Sequence, residues 1–204
     1  MSLFLLLGLL MSPTDTLLTS LYAHNDAAGL ARLHAQAHST SDDLLVRYRL
    51  YPLTQDARYV ADIPDEDECH SAQDYALLAA LWAYRAAEAP PWKLPVYGIR
   101  SDNLLEHGRR LDPDDPYVLL VEAQSLLYRP AIVGGSTEAA LATFEKLRDV
   151  LRDDPTTGIS PFEPEVWIWY CLRKLGRPNT DRVRDRLLAQ DPPPVFRKFL
   201  SYPP

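Results

Sequence analysis

Few residues in this chain have types and spacing that could do chemistry. His34 and His38 stand four apart, the interval that sets two imidazoles on one side of a helix within reach of one metal ion. No Glu completes a His-Glu-x-x-His pattern, and the nearest acids, Asp42 and Asp43, lie beyond a helix break. The two are therefore read as surface histidines. Cys69 and His70 are neighbours, the makings of a thiolate and its base, but no third group is in place to orient the ring. The acidic run before them also raises the thiol pKa. Gly134-Gly135-Ser136 opens a helix and could turn backbone N–H groups toward an anion, yet it lacks both the Lys and the preceding strand of a phosphate-binding loop. Its glycines are read instead as allowing a close reversal between antiparallel helices, with Pro130, Gly134 and Gly135 as the structural positions of that loop. There is no nucleophile elbow, dinucleotide fingerprint or calcium loop. The reading is a non-enzyme with no catalytic residues, no cofactor and no metal.

The remaining signal is aromatic. Trp82, Tyr84, Trp92, Tyr97, Tyr117, Tyr128, Trp167, Trp169 and Tyr170 cluster in the later part of the chain, and most at helical spacing are expected between helices. Trp167 and Trp169 differ from these. Two residues apart on a helix, they point about 200° apart, so one should lie near the surface, a concave groove or the C-terminal tail. Binding candidates are thus Trp167, Trp169, Tyr128, Arg129, Tyr97 and Arg100. Cys69 and Cys171 are the only cysteines, which excludes a disulfide framework and allows one bridge at most.

The elements that must position these residues are helices, because alternating strand patterns are absent. Helical segments are predicted at about 13–22 and, capped by Asn25 or Asp26, through Leu30 and Leu33. A third is capped by Ser41, carries Leu44, Leu45, Tyr48 and Tyr51 on one face and ends at Pro52. Residues 62–68 hold five acidic side chains, a self-repelling loop and the one candidate domain boundary. Ser71 and Asp74 form a capping-box pattern ahead of 75–88, where Ala76, Ala79, Ala80 and Ala83 would admit a neighbouring helix closely. Further helices are predicted at 96–110, at 117–128 after an Asp115 cap, at 137–152, at 165–175, and after an Asn179 or Thr180 cap. The division is 1–12, a signal peptide or apolar segment; 13–60, helical; 61–70, an acidic loop; 71–192, three helical pairs; and 193–204, a Pro-rich basic and aromatic tail.

At 204 residues the chain can bury its own core. It carries 18 prolines against 8 glycines, where average usage gives roughly 10 and 14, so stiff stops outnumber flexible joints. A net charge of −7 excludes nucleic acid as a general partner. From Arg173 onward the balance is +5, so an acidic partner is expected at the C-terminal end. Residues 3–11 are continuously apolar, enough for a signal-peptide core and about half of a bilayer span. No membrane-spanning helix is expected. No Lys or Arg precedes Leu3, and no Ala-x-Ala site or lipobox cysteine follows. Export to the periplasm or cell envelope, a first core helix, and a cytoplasmic chain starting at Met11 stay open as alternatives.

One phrase repeats: Arg109-Arg-Leu-Asp112-Pro113, Leu151-Arg-Asp-Asp154-Pro155 and Leu188-Ala-Gln-Asp191-Pro192 each close a helix. Their aspartates are 42 and 37 residues apart, longer than the roughly 34 of a tetratricopeptide unit, with the excess in loops. Residues 71–192 resemble three degenerate tetratricopeptide repeats. In the unit 164–192, Trp169, Leu172, Leu175-Gly176, Val183, Leu187 and Asp191-Pro192 fall on the motif's positions. The unit 116–155, through Asp115-Pro116, Tyr128-Arg129-Pro130, Gly134-Gly135 and Ala140-Leu141, is similar to a variant in bacterial tetratricopeptide-like proteins, many of them exported. The first unit departs from the pattern, with bulky Ile99 to Asn103 where a small residue belongs. The resemblance implies an all-α, right-handed α-solenoid that binds a protein or peptide on a concave surface. The alternative it allows is a small-molecule-binding component of an envelope or transport system. In the C-terminal tail, Phe196, Phe199 and Leu200 are expected to cap the helix at 180–190.

Overall fold

The computed structural model describes residues 13–154 and 157–204. The apolar segment 3–11, Met11 and Pro155 lie outside the described residues, and with them the expected signal peptide. The described chain is all-helical, without a strand. Its helices are α1 (Pro13–Ala23), α2 (Ala27–His34), α3 (Thr40–Thr54), α4 (Ala72–Ala87), α5 (Leu94–Leu111), α6 (Pro116–Tyr128), α7 (Thr137–Asp153), α8 (Phe162–Lys174), α9 (Thr180–Ala189) and α10 (Pro194–Ser201), linked in places by short 3-10 turns. None is long and apolar enough to cross a membrane.

Side-chain caps set five of these starts. Asp26 accepts from Gly29 N, Asp115 from Tyr117 N and Val118 N, and Ser136 from Ala139 N, each such cap being worth about 1 kcal/mol. Ser71 and Asp74 form the reciprocal capping box of α4. α3 departs from expectation at both ends. Ser39, not Ser41, is its N-cap, and Pro52 sits inside it. A proline so near the end removes a single hydrogen bond, and the chain continues to a left-handed Gln55 whose N–H reaches Tyr51 O at 2.8 Å. At α9 the residue before the helix, Asn179, is left-handed and makes no side-chain cap.

Consecutive helices pair: α4 packs on α5, α6 on α7 and α8 on α9, while α6 also lies on α4 and α8 on α7. Three of the four small residues of α4 face a neighbouring helix as expected, and Ala83 is exposed instead. Ala76, Ala79 and Ala80 are buried, and Ser101 Oγ donates to Ala79 O at 2.8 Å. A Cβ on Gly108 would stand 2.9 Å from Ala72 O, so α5 approaches α4 as closely as glycine permits. One hydrophobic cluster runs from Leu18 to Leu200. The acidic stretch therefore divides no core; it is a surface loop with a 3-10 turn at Glu66–Glu68, tied down by Thr40 Oγ1 donating to Glu68 Oε2 at 2.9 Å.

The expectation of a one-sided α3 is corrected. Leu44, Leu45, Val46, Tyr48, Arg49, Leu50 and Tyr51 are all buried. The helix lies across the first members of the three pairs. Tyr51 OH donates to Glu88 Oε1, just past α4, at 2.5 Å; Tyr48 OH donates to Gln124 Oε1 of α6 at 3.0 Å; and Arg49 Nη1 donates to Glu163 Oε1 of α8 at 2.6 Å. The Arg49 guanidinium also sits 4.5 Å from the Tyr22 ring centre, 5.0 Å from Tyr48 and 5.7 Å from Tyr117. Burial alone would pull Arg49 down, but the Glu163 carboxylate and these tyrosines hold it above its ordinary value. Tyr22, stripped of water and facing Glu163, is pushed up to about 12.

The tail is α10, and its seat differs from the expected one. Phe196 and Leu200 are buried, but the helix packs chiefly on α8 and α1 and only secondarily on α9. Phe196 meets Tyr22 edge-on at 6.3 Å, and Phe199 meets Trp167 at 4.7 Å. The reason is aromatic: α8 and α1 offer large rings, whereas α9 buries only Leu187 fully.

Glu163→Gln is expected to cost about 3–5 kcal/mol in denaturant unfolding, because it strands a buried cation. The double change Arg49→Met with Glu163→Leu should recover most of that loss. Gly135→Ala would place a Cβ 1.8 Å from Arg129 O, so it should destabilise by more than the about 0.4–1 kcal/mol that the same change gains at a compatible site. Equal melts for Gly135→Ala and the parent chain would contradict the turn geometry.

Candidate functional site

The arrangements with catalytic spacing come apart in three dimensions. α2 ends at His34, so His38 is not on its face; His34 Nε2 meets Asp43 Oδ1 at 2.9 Å and its ring lies edge-on to Tyr59. Among the described residues no group of three or more His, Cys, Asp or Glu could hold a metal ion. Cys69 is buried while His70 is exposed, and the His70 backbone N–H donates to Asp74 Oδ2 at 3.0 Å. Burial first, then Asp74, Glu66 and Glu68, pushes the Cys69 thiol up to about 12, and burial pushes Cys171 up to about 11. Both are protonated thiols at neutral pH and poor nucleophiles. At the glycine turn the backbone donors are already used: Gly134 N donates to Ala131 O, Gly135 N to Pro130 O and Ser136 N to Leu126 O. Gly134 is left-handed at φ 94°. With Pro130 capping the preceding 3-10 turn, these residues reverse the chain and leave no N–H group for an anion.

The binding candidates separate into two groups. Trp169 is 2% exposed, its indole N–H donates to Thr180 O at 3.1 Å, and Arg173 lies 5.8 Å over its ring. It is core, out of reach of a partner. Trp167 is half-buried, stacked on Phe144 at 5.6 Å, with Tyr128 and Phe199 against its edge or face. Tyr128 is half-exposed over this group, and its phenol is raised chiefly by burial. Arg129 is tied to Asp102 of α5 and to Ser125 Oγ, the latter at 2.8 Å.

Tyr97 and Arg100 belong to the second group, on the first half of α5. Tyr97 packs on Trp82 of α4 at 5.3 Å; Arg100 lies 4.4 Å and Arg85 5.1 Å from the Trp82 ring centre. Such contacts hold guanidiniums in place at about 0.5–1 kcal/mol each. Beside them stands an apolar stripe in water: Trp92 is 76% exposed, Val96 64% and Ile99 61%. Gly98 has open space around it, and α5 buries side chains only from Ser101 onward. The Arg129–Asp102 pair brings the end of α6 to this part of α5, and three residues beyond Arg129 stands Ile132, 94% exposed, followed by Val133.

Sequence reasoning reached Tyr97, Arg100 and Arg129 but missed Val96, Ile99, Ile132, Val133 and Arg85. The signal was present in the spacing of 92, 96 and 99, which steps by the helical intervals of four and three, and in the bulky residues that break the repeat pattern at Ile99. Two clefts flank the molecule's helices. One, of about 320 Å³ between α5 and α6, is lined by Asp102, Glu106, Arg109, Glu122 and Arg129; another, of about 330 Å³, is lined by Arg148, Arg152, Phe162 and Glu165. The first is walled largely by ion-pairing side chains, whereas Leu151, Pro161 and Pro164 join Phe162 in the wall of the second.

In the folded protein Cys69 and Cys171 should resist a thiol-titrating disulfide reagent at pH 7.5 and both should react after denaturation. Rapid reaction of either in the native state would reopen cysteine chemistry. No family model, curated protein or solved structure matches the chain.

Proposed function

We propose that this chain is a non-catalytic protein- or peptide-binding scaffold of tetratricopeptide-like helical hairpins stacked as a right-handed solenoid, and that it engages its partner through the first half of α5. The observation that carries the reading is the exposure of Trp92, Val96 and Ile99 close together in sequence at the start of α5. Contiguous exposed apolar residues of this size mark interaction surfaces, whereas single ones do not. Pairing of α4 with α5, α6 with α7 and α8 with α9 supports the hairpin part. The concave side expected to receive a ligand is taken by α3, which directs binding outward. A small-molecule carrier is disfavoured at the cleft between α5 and α6, which is walled with ion-paired Asp, Glu and Arg, since carrier pockets are mostly apolar and enclosed.

The test is the double variant Val96→Ser with Ile99→Ser. Exposed positions move stability by about 0.5 kcal/mol or less, so the melt should stay within a degree or two of the parent. Co-purification of the native partner from the source cells should fall at least tenfold. Undiminished co-purification with an unchanged melt would reject this face.

A further inference from the structure

We infer that the α5 face receives an acidic amphipathic helix of a partner protein, an inference that rests on the binding role proposed above. Three features of the face point there. Val96 and Ile99 stand one turn apart on α5 and Trp92 precedes them in the 3-10 turn that leads into it, an elongated apolar strip of the kind that receives i, i+3 or i+4 anchors of a docking helix. Its flanks carry cations: Lys93 and Arg100 are exposed, and Arg85 stands at Trp82. Among the described residues none of the three forms an ion pair with a carboxylate, and they share this face with the apolar stripe. The nearby acids are already engaged, Glu88 by the Tyr51 hydroxyl and Asp102 by Arg129. In a chain of net charge −7, an apolar stripe bordered by unpaired cations is a local inversion of the overall field, and it selects apolar residues flanked by carboxylates.

The same arithmetic disfavours two other occupants. A second copy docked face to face about a two-fold axis would set Lys93, Arg85 and Arg100 against their own copies. An anionic lipid surface would meet these cations but also the remaining acidic molecule, and so short a stripe inserts little apolar area.

The experiment uses the full chain and two labelled sixteen-residue helical probes, identical on a Leu/Phe face, one with Glu and the other with Lys at the polar positions. By fluorescence anisotropy in low salt the Glu probe should bind at least tenfold more tightly than the Lys probe, and the gap should narrow as salt rises. Lys93→Glu with Arg100→Glu should weaken the Glu probe at least fivefold with an unchanged melt, and Val96→Ser with Ile99→Ser should remove binding of both probes. Equal binding of the two probes, lost on Val96→Ser with Ile99→Ser, would overturn the acidic partner and leave the binding face standing. Failure of both probes would overturn the acidic helix; if native co-purification were also indifferent to the stripe variant, the proposed function would fall with it. Flotation of the chain with vesicles of one-quarter phosphatidylglycerol in phosphatidylcholine, or sedimentation as a dimer that the stripe variant dissociates, would replace the partner with a membrane or a second copy.

Discussion

Arg49 is 3% exposed and its carboxylate partner Glu163 is 1% exposed, and the rest of the structure is arranged to make that tolerable. Removing an ion from water costs several kcal/mol, which attraction offsets only when the geometry is good and the remaining polar atoms have company. Here Arg49 has a 2.6 Å contact to Glu163 and the rings of Tyr22, Tyr48 and Tyr117 around it, while the second carboxylate oxygen of Glu163 is buried without a hydrogen-bond partner among the described residues. Glu163 stands in the first turn of α8, where the helix dipole favours a negative charge. Those partners come from α1, α3, α6 and α8, so the charge is satisfied only when four helices distant in sequence have assembled. The pair is a weak source of net stability and a strong condition on topology.

That condition decides where the protein can offer a surface. α3 has to lie across the first helices of the three pairs for Arg49 to reach α8, and Tyr51 and Tyr48 bind the end of α4 and α6 on the way. An array of helical hairpins ordinarily presents this inner side to a ligand. On the solenoid reading proposed above, α3 would occupy that side in this protein. The second helices of the pairs remain, and α5 differs from α7 and α9 in leaving its first half unpacked while keeping large apolar residues there.

Local structure was legible in the sequence wherever its cause is local. Asp26, Ser71 with Asp74, Asp115 and Ser136 act within three residues of themselves, so caps and helix starts follow from short patterns. The burial of α3 was not legible, because Arg49 reads as a surface residue until Glu163 arrives from 114 positions away. Trp167 and Trp169 illustrate the same limit. Their divergence follows from helical geometry, but which one is sealed depends on Thr180 O meeting one indole and Phe144 and Phe199 meeting the other. The candidate face was half legible: Tyr97 and Arg100 stand out as types, whereas Val96 and Ile99 look like ordinary core until the structure leaves them exposed while Trp82 of α4 takes Tyr97.

The two ends of the described chain bear on whether the α5 stripe is an accident of an unfinished array. A stack of helical pairs exposes apolar residues at its ends unless something covers them. In this protein α10 covers α8 and touches α1, through Phe196 against Tyr22 and Phe162. Thr19 Oγ1 of α1 donates to Gly158 O at 2.7 Å, in the loop ahead of α8, and Tyr170 OH reaches Pro204 O at 2.5 Å. The ends thus shield one another, and α10 keeps Phe196 and Leu200 out of water. Val96 and Ile99 lie instead mid-chain, with Trp92 in the 3-10 turn just before them, on a helix anchored at its other half by Ser101, Leu104, Leu105 and Gly108. Their exposure is a property of that helix, and the unpaired cations beside them give it a chemical direction.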